Sequence, residues 1–123
     1  MTATKRLFNK TKGVELATQV RVADSFFSRA KGLLGESHLS EGSALWIKGS
    51  HFVACNSIHT WFMRFSIDAI FVDRGLTVKG VYRDLAPWRM TLPIAGATSV
   101  FEFPAGTVGK SPVEIGDQLY VGD

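Results

Sequence analysis

The chain has one cysteine, Cys55, in 123 residues, so no intramolecular disulfide can staple it. It has no apolar run of the length that crosses a membrane as a helix. The first residues, MTATKRLFNKTKG, lack the apolar stretch of a secretory signal. A reduced cytoplasmic setting is the expectation, and a mature exported form stripped of its signal would look the same. There is no P-loop and no dinucleotide-type glycine pattern. Zinc-finger spacing and the aromatic-basic signature of RNA binders are also missing, which argues against a nucleic-acid partner.

What is present is an ordinary globular composition. Hydrophobic residues make up 46% and charged residues 20%, which excludes a disordered chain. The length fits one domain, taken as residues 1–123, with a core large enough to stand without cross-links. The net charge is +3, and Lys5, Arg6, Lys10 and Lys12 supply much of it. These read as a solvated strand and turn more readily than as an anion site.

Period-two patterning dominates. Val14, Leu16, Thr18, Val20 and Val22 alternate with Glu15, Gln19 and Arg21, predicting a half-buried strand over 14–23. Lys12-Gly13 marks a turn from a short strand at Leu7-Phe8. Further strands are predicted at 44–47, 67–72, 76–82, 99–103 and 118–121. Asp73-Arg74-Gly75 is the turn between the fourth and fifth of these seven strands. Helical spacing occurs once, from Asp24 to Leu34, with Gly35 as the stop. The fold class is mostly β: a single-domain β-sandwich or barrel-like sheet with one short α-helix.

The motifs fall in a fixed order: Arg29, KGLLG from Lys31, GSAL from Gly42, SIHTWFMRFSIDAIFVD from Ser57, LAPWR from Leu85, FEFPAG from Phe101 and IGD from Ile115. Together they resemble the bacterial and archaeal family known as domain of unknown function 192, from about Arg29 to Val121. The resemblance implies a compact, mostly-β fold with one helix, and no established activity. Many relatives have proline where Ser66 stands, which bears on the local turn.

The segment from Cys55 to Asp68 sets polar groups among aromatic and apolar ones, where each is costly unless paired. Cys55, His59 and Met63 suit copper(I) by ligand type. On an extended strand, however, residues four apart lie about 13 Å from one another, too far for one ion. No metal and no cofactor is expected. Cys55 beside Val53 and Ala54 reads as a core thiol rather than a nucleophile.

Asp68, between Ile67 and Ala69, is expected to be buried and paired with Arg64, Arg89 or His59. Glu102, between Phe101 and Phe103, poses the same problem. Trp61 and Trp88 are the aromatic residues best placed to line a pocket. The expected site is therefore His59, Trp61, Arg64, Asp68, Trp88, Arg89 and Glu102. The expected function is non-catalytic binding of a small molecule or a protein partner. Two alternatives are a small hydrolase-like acid-base enzyme using His59 with Asp68 or Glu102, and a structural or assembly subunit whose polar cluster only fixes the sheet.

Overall fold

A computed structural model describes residues 5–23, 39–49, 56–61 and 63–123. Its strands are β1 (Lys5–Asn9), β2 (Val14–Ala23), β3 (Ser43–Lys48), β4 (Ile67–Val72), β5 (Val78–Leu85), β6 (Ser99–Pro104) and β7 (Leu119–Gly122). Among the described residues a short helix, α1, spans Thr107–Lys110. The helix expected over 24–34 lies outside the described residues, as do Cys55 and Phe62.

The strands form one curled sheet in the order β5-β4-β6-β3-β2-β1-β7, antiparallel except where β2 meets β3. Its two edges are drawn together at one end. The Val78 N–H donates to the Asp117 carbonyl (2.9 Å), and the Leu119 N–H donates to the Leu76 carbonyl (2.9 Å). The sheet is thus a half-barrel, which shields part of both edges from stray pairing.

Each sheet face has its own core. The concave side gathers residues from all seven strands, including Leu7, Leu16, Ala44, Ile70, Val78, Phe101 and Leu119, with Val108 and Val113 inserted beside them. The convex side carries Leu45, Ile47, Ile67, Ala69, Phe71 and Val100, covered by Ile58, Met63, Phe65, Ile94 and Ala97. Strand β4 is buried along its whole length because both faces are covered. That is why its sequence reads as continuous apolar residues broken only by Asp68.

The alternation expected for β2 holds only in part. Register shifts against β1 place Leu16 and Ala17 both inside, and Val22 ends 43% exposed. A bulge adds one residue to one strand and so reverses the inside–outside sequence beyond it. Asp73-Arg74-Gly75 does turn β4 into β5, but Leu76 takes the left-handed backbone (φ 67°). The Asp73 side chain supports the turn by accepting from the Thr77 N–H at 2.9 Å.

Candidate functional site

Residues 56–61 and 86–94 run antiparallel as a ribbon laid over the convex core. The Ile94 N–H donates to the Asn56 carbonyl (3.0 Å), Thr91 to Ile58 (2.9 Å), Thr60 to Arg89 (2.8 Å) and Trp88 to Thr60 (2.9 Å). His59 and Met90 are directly opposite. Successive residues of extended backbone point to opposite sides. Here Ile58, Thr60 and Thr91 turn toward the core, while His59, Trp61, Trp88, Met90 and Leu92 turn out. Ile94 anchors the far end, its Cδ1 lying where a Cβ on Gly80 would sit, 2.5 Å away.

Thr60 is the pin of this ribbon. It is fully buried. Its hydroxyl donates to the Ala86 carbonyl at 2.6 Å and accepts from the Arg89 N–H at 2.8 Å. Thr91 acts in the same way, its hydroxyl accepting from the Ile58 N–H at 2.9 Å. Neither threonine was singled out from the sequence. Their only signal is their place inside the SIHTWF stretch and just after LAPWR. Trp88 holds φ at 64°, a backbone conformation that a bulky side chain adopts only when its surroundings enforce it.

The outward face is apolar and aromatic. Trp61 is 43% exposed, Trp88 58%, Met90 66% and Leu92 77%. The His59 ring stacks on Trp61, with centroids 4.7 Å apart and planes at 26°. Its Nδ1 accepts the Trp61 N–H at 3.3 Å. Arg89 and Arg64 are exposed, one within the ribbon and one just past its first segment. The structure therefore brings His59, Trp61, Trp88 and Arg89 onto one ribbon, with Arg64 following. Sequence analysis missed Met90 and Leu92, which complete its apolar face.

Asp68 and Glu102 are elsewhere. Cross-strand partners share a sheet face, and β4 pairs with β6 as Asp68 with Phe103 and Ala69 with Glu102. Asp68 therefore faces the concave core, and Glu102 the convex one. The expected partners of Asp68 are corrected by this geometry. Its Oδ1 accepts the Asp84 N–H (2.8 Å) and its Oδ2 the Val108 N–H (2.9 Å). No cation among the described residues lies within ion-pair distance of it. The physical reason is local. Asp84, at φ 53°, sits where the β4–β5 register slips, so its N–H has no ladder partner. Val108 is in the first turn of α1, which has no side-chain cap of its own. The carboxylate satisfies both orphan donors without the cost of burying a guanidinium.

Glu102 is buried opposite Leu45 and Ala69. Burial pushes its carboxyl up from the ordinary 4.5 to about 7. A third carboxylate, Asp117, is held below its usual range. Its burial works the other way, but the Asn9 amide (2.8 Å), the Glu114 N–H (3.0 Å) and the Lys12 ammonium (3.2 Å) outweigh it. Among the described residues, no three His, Cys, Asp or Glu side chains gather as a metal site.

Away from the ribbon, a groove of about 380 Å³ runs between the start of β2 and α1, crossed by the ion pair of Glu41 with Lys110 (3.0 Å). It contains none of the expected site residues.

The family model for domain of unknown function 192, described as an uncharacterized ACR, matches residues 7–121. A UPF0127 protein of Thermococcus sibiricus is 37% identical over 113 residues, which is 92% of this chain and 72% of that protein. One from Pyrococcus horikoshii is 34% identical over 113 residues, covering 92% of this chain and 96% of the relative. A crystal structure of a Novosphingobium aromaticivorans protein of unknown function superposes with a TM-score of 0.79 at 19% identity, covering 96% of this chain and 84% of that one. At that identity the likeness concerns the fold alone.

Proposed function

We propose that this chain, which belongs to the uncharacterized ACR family of domain of unknown function 192, is a non-catalytic binding domain whose site is the outward face of the ribbon. The observation that carries this reading is the exposure of Trp61 and Trp88 on a ribbon whose other face is pinned by buried threonine hydroxyls. Exposed tryptophans on a rigid support are characteristic of contact surfaces, where large flat apolar area is offered at little entropic cost. Arg89, with Arg64 nearby, adds a fork of donors for an anionic or hydroxyl-rich group. The lone Cys55 suits a reducing cytoplasmic compartment.

Acid-base catalysis would need His59 within hydrogen-bond reach of a working carboxylate. Asp68 is engaged by two main-chain donors, and Glu102 lies within the convex core. The assembly-subunit reading draws on Asp68, whose role in joining β4, β5 and α1 is structural.

The test is a metabolite library screened by thermal shift, followed by titration calorimetry. Binding that is lost in Arg89→Ala or Trp88→Ala, with the melting transition retained, supports the site. Binding indifferent to both changes removes it.

A further inference from the structure

The charge around the ribbon is one-sided. No Asp or Glu occurs from Asn56 to Ile67 or from Leu85 to Phe101, whereas His59, Arg64 and Arg89 all fall in these stretches. Asp84, exposed just before the second stretch, is matched by the exposed Arg83 beside it. A patch of one sign favours a partner of the opposite sign. This one offers aromatic and aliphatic side chains with cations only.

The backbone matters as much. The Ile58, Thr60, Trp88, Arg89, Thr91 and Ile94 N–H groups all have acceptors within the ribbon. Those six donors stay paired when the ribbon leaves water. Leu92 and Met90, the most exposed of its apolar residues, project furthest into solvent by fractional exposure. Trp88 precedes Met90 and Trp61 follows His59, so both rings lie toward one end of this row, and tryptophan favours the boundary between headgroups and acyl chains.

We infer that the outward face of this ribbon docks on an anionic phospholipid surface, with Met90, Leu92, Trp61 and Trp88 entering the interface while Arg64 and Arg89 meet headgroup phosphates. The inference rests on the binding site proposed above and names its occupant. No helix among the described residues is long and apolar enough to cross a membrane, so the contact meant here is peripheral.

The experiment is co-sedimentation of the full chain with vesicles of pure phosphatidylcholine and with vesicles that also contain phosphatidylglycerol. Calorimetry with soluble glycerol phosphate is the parallel arm. Expected is pelleting with the anionic vesicles, reduced about tenfold or more by raised salt as the headgroup charge is screened. Leu92→Asp should abolish it, because a carboxylate would enter the apolar layer. Leu92 is exposed enough that the melting transition should not move, and Met90→Asp provides a second variant should it do so.

Failure to pellet with anionic vesicles overturns the lipid inference, as does pelleting unaffected by Leu92→Asp and Met90→Asp. Arg89-dependent binding of glycerol phosphate without vesicle binding overturns it too, yet leaves the ribbon as a small-anion site. A stoichiometric complex with a soluble protein through this face, again without vesicle binding, has the same consequence.

Discussion

Replacing Glu102 by glutamine isolates the cost of one buried charge. The amide keeps the shape of the carboxyl but never ionises. In the native protein burial holds the Glu102 carboxyl at about 7, against an ordinary 4.5 in an unfolded chain. Below pH 4.5 both states are protonated and the group has no effect on the balance. Between pH 4.5 and 7 the unfolded chain releases its proton while the folded chain keeps it. The folded state then binds more protons, so stability must fall as pH rises through this window and level off above it. At about 1.4 kcal/mol per pH unit, the total is about 3 kcal/mol. Glu102→Gln should therefore match the parent near pH 4.5 and exceed it by about 3 kcal/mol at pH 8. Urea unfolding followed by tryptophan fluorescence at the two pH values gives both numbers. A variant whose stability difference from the parent is the same at pH 4.5 and pH 8 would refute the reasoning, since it would mean that the carboxylate is solvated or compensated in the fold.

Asp68→Ala should be severe, because two main-chain N–H groups lose a charged acceptor. A loss of about 3–4 kcal/mol is expected, read as a fall of about 10 °C or more in Tm, and a change under a degree would show that the brace carries no load. Thr60→Val keeps the shape and removes the hydroxyl, stranding the Ala86 carbonyl and the Arg89 N–H; it should cost about 2–3 kcal/mol and speed amide exchange at Arg89. Asn9→Ala removes one of the groups that hold the Asp117 carboxyl below its ordinary 3.8. The parent should hold its Asp117-linked stability above that value and lose it as pH falls further. The variant should start to lose it at higher pH, which acid unfolding curves will show.

The strands were legible because they are local. Strand β4 was read with its observed ends from its apolar run, and β2 from its alternation. The bulge that turns both Leu16 and Ala17 inward was not, since a register shift depends on the partner strand. Helix α1 is one turn long, too short for any periodicity to register. Burial of Asp68 could be read from its flanks, but its partners lie 16 and 40 residues away and are backbone groups, which carry no side-chain signature. That Asp68 and Glu102 face opposite sides of the sheet follows from the β4–β6 register, which neither strand reveals alone. The tryptophans and arginines of the expected site were legible as residue types. That His59, Trp61 and Trp88 share the outward face became visible only once residues 56–61 and 86–94 were paired.

This pairing explains why costly features collect around the ribbon. A left-handed backbone at Trp88 is unfavourable by itself, roughly 1–3 kcal/mol for a bulky residue. The two hydrogen bonds on the Thr60 hydroxyl bracket that position at Ala86 and Arg89, and the Trp88 N–H is tied to the Thr60 carbonyl. A loop selected for stability alone could relax the strain by placing glycine there. Retaining tryptophan spends stability on presenting an exposed aromatic ring in one orientation. The carboxylates show the opposite economy. Asp68 and Asp117 are each bound by main-chain or side-chain donors that hold strand, turn and helix ends together. Under the binding reading proposed above, the strain under this exposed ring serves contact with something outside the chain, whereas the saturated buried carboxylates serve architecture. On that division the ribbon is the part of this fold where binding should be sought.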